Sequence, residues 1–159
     1  MEEKENSLVV SNNNVLSTGL FGEDEKKVKK ATSINLQDEE QVDMLLNGMQ
    51  EVDYKLNDCV GQVIECVGAY LQEFLSDSFN EETGEQVTRK KHTVMLFDKN
   101  GKSYVTGSNS CYMSFADIVA IKGMPTEDNV IRFVPIKVDA KEKGHSYLKL
   151  RLAKKDEVK

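Results

Sequence analysis

The sequence predicts a mainly β fold of the α+β class, with five strands and one helix between the third and the fourth strand. The second half of the 159-residue chain alternates apolar and polar residues in short runs that are separated by turn signals. The predicted strands cover residues 59–75, 87–97, 102–108, 130–139 and 145–152, and the helix covers residues 110–122. Three strands, one helix and two strands is the element order of the five-stranded OB barrel, a fold that often binds oligonucleotides.

Turn and bend residues set the limits of the first three strands. The first strand is long, and Gly68 near its middle is a natural bend point, so that each half can belong to a different part of a barrel. An acidic loop, residues 76–86, leads into the second strand. The dipeptide Asn100-Gly101 then predicts a tight hairpin into the third strand.

The predicted helix after the third strand carries an apolar stripe. Tyr112, Phe115 and Val119 recur at helical spacing, which is typical of a helix that packs on a core. Gly123 is a favourable residue just after a helix, and Pro125 prevents its extension. In an OB barrel this helix closes the bottom of the barrel.

The N-terminal third predicts an arm and one short helix. Residues 1–33 show no sustained period and are predicted to be a flexible arm with two apolar segments, at 8–10 and at 15–21. A short strand is predicted at 31–36 and a helix at 38–50, with Asp38 as its N-cap. The predicted domains are therefore the arm (1–33), an OB domain with its preceding helix (34–152) and a C-terminal tail (153–159).

Charge is distributed unevenly along the chain. The net charge of −6 comes from residues 1–58, which carry −7, whereas residues 59–152 are neutral and the last seven carry +1. A local basic groove, rather than the total charge, governs contact with phosphates. The barrel's cations are therefore free to gather on one face.

Catalytic and metal-binding patterns are absent from the sequence. Cys59, Cys66 and Cys111 are odd in number and form no Cys-x-x-Cys pair, so they are interpreted as partly buried thiols. The sequence predicts no cofactor, no metal site and no enzymatic activity; an enzyme built on His92 and a cysteine is the least favoured alternative. The acidic start and the lack of a long apolar run predict a cytoplasmic protein without membrane spans.

Cations and aromatic side chains on the barrel strands predict a site for single-stranded nucleic acid. Cations neutralise phosphates along a groove, and aromatic faces stack on unpaired bases. Four aromatic residues are expected to be partly exposed, namely Tyr70, Phe79, Tyr104 and Tyr147. The basic candidates are Arg89, Lys90, Lys91, His92, Lys102, Arg132, Lys137, Lys141, Lys143, Lys149 and Arg151.

The chain resembles the small single-stranded DNA-binding proteins of phages and conjugative plasmids of Gram-positive bacteria. The resemblance covers most of the chain and rests on the segments VVSNN (9–13), STGLF (17–21), KLNDCVG (55–61), TGE (83–85), FDKNGKSY (97–104) and SF (114–115). It implies an OB-fold protein of a bacterial host's cytoplasm that coats and protects single-stranded DNA during replication or transfer. The C-terminus, 154–159, departs from the acidic, apolar-tipped tail of housekeeping bacterial single-strand binders, which argues against recruitment of host enzymes through such a tip.

Two hypotheses of different classes follow from the sequence. The first is a sequence-tolerant single-stranded DNA-binding protein that self-associates through its N-terminal arm, with RNA as a further possible ligand because no feature reads a 2′-hydroxyl. The second is a protein-interaction module, in which the barrel is a scaffold and the acidic N-terminal region recruits a replication or transfer partner.

Overall fold

Strands dominate the described part of the chain. The computed structural model describes residues 15–16, 28–140 and 144–157. Its helices are α1 (Glu39–Gln50) and α2 (Asn109–Lys122), and a 3-10 turn covers Leu56–Cys59. Its strands are β1 (Val15–Leu16), β2 (Val28–Thr32), β3 (Tyr54–Lys55), β4 (Ile64–Phe79), β5 (Gln86–Asp98), β6 (Ser103–Thr106), β7 (Ile131–Asp139) and β8 (Ser146–Leu152).

The predicted order of three strands, one helix and two strands is confirmed by β4, β5, β6, α2, β7 and β8. The long first strand begins at Ile64 rather than at residue 59, because Leu56–Cys59 winds into a 3-10 turn, and it continues to Phe79. The helix α1 is also confirmed, and the Asp38 carboxylate accepts hydrogen bonds from the backbone of its first turn. The short strand predicted at 31–36 lies instead at Val28–Thr32.

The strand β4 is central to the sheet because it pairs with three other strands along its two edges. Along one edge it pairs antiparallel with β5 over nearly its whole length. Along the other edge, residues 64–66 pair with β7 and residues 70–74 pair with β2. The partner therefore changes close to Gly68, where the register of the β4–β5 ladder also shifts.

The result is a mostly β fold with a curled, barrel-like sheet and two helices. The sheet follows the order β1-β2-β4-β5-β6-β3, and β7 joins β4 to β8. Among the described ladders, β6 pairs in parallel with β3 and none joins β6 to β8. A strand is present at each of the five predicted positions, and the free edge of β6 is covered by β3.

Two apolar clusters lie on opposite sides of β4 and β5. The inner cluster packs beneath α2 and includes Ala69, Val94, Leu96 and Phe115. Side chains that alternate with these point the other way, and α1 covers them. This outer cluster comprises Ile34, Leu45, Tyr70, Met95 and Phe97.

Both chain ends of the described part join the sheet. The strand β2 pairs with β4, and β1 pairs with β2, so residues 28–32 belong to the sheet and the predicted boundary of a flexible arm at residue 33 is wrong. The rest of the predicted arm, residues 1–14 and 17–27, lies outside the described residues. At the other end the Ala153 amide donates a hydrogen bond of 2.9 Å to the Arg132 carbonyl, which holds the tail against β7.

Neither described helix combines the length and the apolar character that a membrane span requires.

Candidate nucleic-acid interface

The outer side of the β2–β4–β5 ladder carries a basic surface beyond the edge of α1. Cross-strand register places Lys30 beside Gln72 and Thr93. This surface, which we call the basic face, consists of Val28, Lys30, Gln72, Phe74, Ser76, Arg89, Lys91 and Thr93. None of these eight residues is acidic, and Arg89 and Lys91 are exposed.

Phe74 gives the basic face an aromatic centre. It lies between Val28 and Lys91 in the ladder, one register step from Arg89, and its side chain is half-buried. A ring flanked by two cations combines the two groups that hold single strands, a face for base stacking and charges for phosphates.

Lys90 and His92 point to the opposite side of the same strand. On that side Glu73 lies 3.9 Å from Lys29 and 3.1 Å from the His92 Nε2 atom, so the charges of Lys29 and Glu73 offset each other. His92 is 9% exposed, and its Nδ1 atom lies 2.9 Å from the Asn109 side-chain oxygen. The predicted site residue His92 is therefore part of a buried polar network beneath α2 rather than of the basic face.

A stacked aromatic pair fixes His92 in this network. The rings of His92 and Tyr112 lie 3.7 Å apart and nearly parallel. Both ring nitrogens and one ring face are thus occupied by neighbours of the same chain.

The prediction that Tyr70 and Tyr104 are partly exposed is wrong. Tyr70 is 3% exposed because α1 covers it, and burial raises the pKa of its hydroxyl, which has no hydrogen-bond partner among the described residues. Tyr104 is 8% exposed, and its hydroxyl donates a hydrogen bond of 2.7 Å to the Asp98 carboxylate. Burial and that hydrogen bond raise the Tyr104 pKa.

The two other predicted aromatic residues are exposed, as expected. Phe79 is 66% exposed near the end of the β4–β5 hairpin, and Tyr147 is 38% exposed on β8. These two residues lie on different strand pairs, so they do not form one stacking surface.

Tyr54 is an exposed aromatic residue that the sequence interpretation missed. It is 47% exposed and stacks on Tyr104 with ring centroids 5.1 Å apart. Lys102 lines the same depression, of about 340 Å³, and its side chain is exposed. The signal in the sequence was an aromatic residue followed by a cation, Tyr54-Lys55, but its partner strand β6 lies about fifty residues further along the chain.

A second basic surface, on β7 and β8, is occupied by the C-terminal tail. The Arg151 guanidinium donates two hydrogen bonds to the Glu157 carboxylate, at 2.6 and 2.8 Å, and Arg132 donates to the Glu157 carbonyl. These contacts, above all the hydrogen bonds from Arg151, lower the Glu157 pKa to about 2. A bidentate arginine recognises phosphate and carboxylate alike, so Glu157 occupies the position that a phosphate would take.

The remaining basic candidates are distributed over several surfaces. Lys149 lies 5.8 Å above the Tyr147 ring on the outer side of β8. Lys137 is exposed on the other side of the β7–β8 pair. Lys141 and Lys143, which were predicted to contact nucleic acid, lie outside the described residues.

The three thiols are buried and poorly suited to nucleophilic attack. Burial raises the pKa of Cys66 to about 12 and that of Cys111 to about 12, and it also raises that of Cys59. In the part of the chain that the structure describes, no three His, Cys, Asp or Glu side chains are placed to hold a metal ion.

No protein-family model, no curated protein and no solved structure matches this chain. Its function is therefore inferred from the surface itself.

Proposed function

We propose that this protein binds single-stranded DNA with little sequence preference, and that its curled sheet is an OB barrel. In this interpretation β4, β5, β6, β7 and β8 are the five barrel strands and α2 is the helix between the third and the fourth. The pairing of β4 with both β5 and β7 supports it, because the first strand of an OB barrel pairs with its second and its fourth.

The observation that carries the proposal is the basic face. Lys30, Arg89 and Lys91 surround Phe74 without an acidic residue among the eight positions, so phosphates meet cations that no carboxylate of that face neutralises. The β4–β5 hairpin extends beyond the part of the sheet that α1 covers, so the basic face is accessible to an extended strand of nucleic acid. Base stacking on a ring contributes about 1–3 kcal/mol per base and tolerates any sequence.

Two further surfaces extend the proposed interface. Tyr54 and Lys102 offer a second stacking position with its own cation. Arg132 and Arg151 become available for phosphates when Glu157 leaves them. The resemblance in sequence supports a role in coating single-stranded DNA during phage or plasmid replication or transfer, in the cytoplasm of a bacterial host and without catalysis.

Fluorescence anisotropy tests the proposal directly. The ligands are a labelled oligo-dT of about 40 nucleotides, which exceeds the 4–16 nucleotides that one OB fold covers, and a duplex and an RNA of the same length. We expect strong, salt-sensitive binding to the single strand and weak binding to the duplex. Absence of binding to oligo-dT at low salt would refute the proposal and favour the alternative, a scaffold that recruits a protein partner through its acidic N-terminal region.

A further inference from the structure

The depression beside β3 and β6 lies apart from the basic face. It has a volume of about 340 Å³, and its walls come from Tyr54 on β3, the 3-10 turn and the turn between β5 and β6. Asp98, the last residue of β5, lines it, so it lies at the end of that strand farthest from the hairpin tip. A volume of this size is in the range of sites for small ligands.

Two stacked tyrosine rings form the aromatic wall of the depression. The ring centroids of Tyr54 and Tyr104 lie 5.1 Å apart, with 29° between the ring planes. The buried Tyr104 ring is fixed from below, because its hydroxyl donates a hydrogen bond of 2.7 Å to Asp98. Tyr54 is 47% exposed, so its ring is backed by Tyr104 and still accessible to a flat ligand. A stacking surface that is already in place lowers the entropic cost of binding.

The charge that the depression exposes is positive. Asp98 is its only carboxylate among the lining residues, and it is 2% exposed. Besides the Tyr104 hydroxyl, it accepts hydrogen bonds from the backbone amides of Asn100 and Lys102, at 2.8 and 3.0 Å. The Lys102 side chain is exposed, and none of the described carboxylates forms an ion pair with it. An anion that enters the depression therefore meets an unpaired ammonium group.

Two side-chain amides complete the lining. Gln62 follows the 3-10 turn and Asn100 lies in the turn between β5 and β6, and both side chains are exposed. Their backbones are held in place, because the Gln62 amide donates to the Cys59 carbonyl at 3.0 Å and the Asn100 amide donates to Asp98. None of the described residues forms a hydrogen bond with either carboxamide group. Each carboxamide thus offers a donor and an acceptor to a ligand.

This combination of groups matches a nucleotide whose base is unpaired. An aromatic ring stacks on a base and a cation neutralises the phosphate. A carboxamide reads a base edge that presents a donor beside an acceptor, as Asn and Gln do with adenine. Adenine has such a pair on both its Watson–Crick and its Hoogsteen edge, and both edges are open in a single strand. The two carboxamides come from different turns, so adenine is the base that can use both.

We propose that the depression binds one adenine nucleotide of a single strand. The base stacks on Tyr54, Gln62 and Asn100 read its edges, and the phosphate lies beside Lys102. This inference rests on the proposed binding of single-stranded DNA and adds the residues that read a base. The protein then accepts any sequence along the basic face and favours adenine at one position.

NMR titration of the full chain with single nucleotides tests this site separately from the binding of long strands. We expect dAMP to shift the signals of Tyr54, Gln62 and Asn100 and to bind at least about fivefold more tightly than dTMP. Absence of these shifts at roughly 10 mM dAMP, or equal affinity for the two nucleotides, would overturn the proposal. Binding of oligo-dT without a preference for dAMP would refute this site and leave the proposed function intact. Selective binding of dAMP without binding of oligo-dT would do the reverse.

Two substitutions separate stacking from base reading. Tyr54→Ala should weaken the binding of both nucleotides at least about fivefold, because the stacking surface is lost. Gln62→Leu keeps the size of the side chain and should weaken dAMP at least about fivefold while it leaves dTMP nearly unchanged. Tyr147→Ala is the matched control, because Tyr147 is also an exposed tyrosine but lies on β8, outside the depression. If Tyr54→Ala binds both nucleotides as the control does, or Gln62→Leu keeps the full preference for dAMP, the depression does not read adenine.

Discussion

Two exposed cations of the basic face offer the sharpest test of the proposed function. The variant Arg89→Ala/Lys91→Ala removes both from the β5 side of the face. Lys90→Ala is a control within the same strand, because Lys90 is also exposed but points to the opposite side. All three side chains are exposed, so we expect stability to change by less than about 0.5 kcal/mol per substitution.

The expected loss of affinity follows from counterion release. Each phosphate that a cation neutralises on a single strand contributes about 0.7 to the slope of log K against log salt concentration. Loss of two contacts should therefore reduce the slope by about 1.4, which corresponds to roughly 25-fold weaker binding at 0.1 M salt. None of the other residues of the basic face is acidic, so no carboxylate of that face neutralises either cation before nucleic acid binds.

Anisotropy titrations at four or more salt concentrations measure both the affinity and the slope of log K against log salt concentration. The double variant should bind oligo-dT more weakly and with a shallower slope, whereas Lys90→Ala should retain at least half of the native affinity and the native slope. Equal losses in the double variant and in Lys90→Ala would refute the assignment of the interface to one side of the hairpin. An unchanged slope in the double variant would show that the phosphates lie elsewhere.

Three other predictions concern the thiols, α1 and the tail. Ellman's reagent at pH 8 should not react measurably with the folded protein, because burial raises the pKa of Cys66 and of Cys111 to about 12; rapid reaction of native protein would contradict this burial. Gly48→Ala should lower the free energy of unfolding, measured in urea, by about 1–2 kcal/mol, because the new Cβ would lie 2.6 Å from the buried Phe97 ring. Gly107→Ala is the control and should leave the stability unchanged, because a Cβ there has nothing within 4 Å. The Glu157 pKa is lowered from 4.5 to about 2, so tail docking should be complete above pH 4.5 and lost as the pH falls through 2, which NMR of the Glu157 side chain would detect as one titration.

The order of the strands and helices was predictable because local signals mark it. Asn100-Gly101 forms the expected turn, and Gly123 adopts a φ of +82° at the end of α2. The start of β4 was not predictable, because Cys59, where the predicted strand begins, fits a strand pattern but is buried at the end of a 3-10 turn. Periodicity cannot distinguish the two in so short a segment.

The candidate site was predictable only in part. Alternation along β5 shows that Arg89 and Lys91 share a side. It does not show that Lys30 lies two strands away on the same side, since the pairing of β2 with β4 joins residues about forty positions apart. The burial of Tyr70 likewise depends on α1, a neighbour that no local pattern near residue 70 reveals.

The position of α1 decides where on the sheet a nucleic acid can bind. An OB barrel usually holds its ligand on the face of its second and third strands, which in the proposed OB arrangement are β5 and β6. In this chain α1 packs Leu45 against that face, over Met95 and Phe97, and all three are buried. Moving α1 away to expose these side chains would cost about 1.5–3 kcal/mol for each of them, while each stacked base contributes about 1–3 kcal/mol of binding free energy. Several bases would have to stack only to balance the loss, whereas the basic face beyond α1 is accessible without rearrangement. The hairpin, rather than the centre of the barrel, is therefore the surface on which binding is expected.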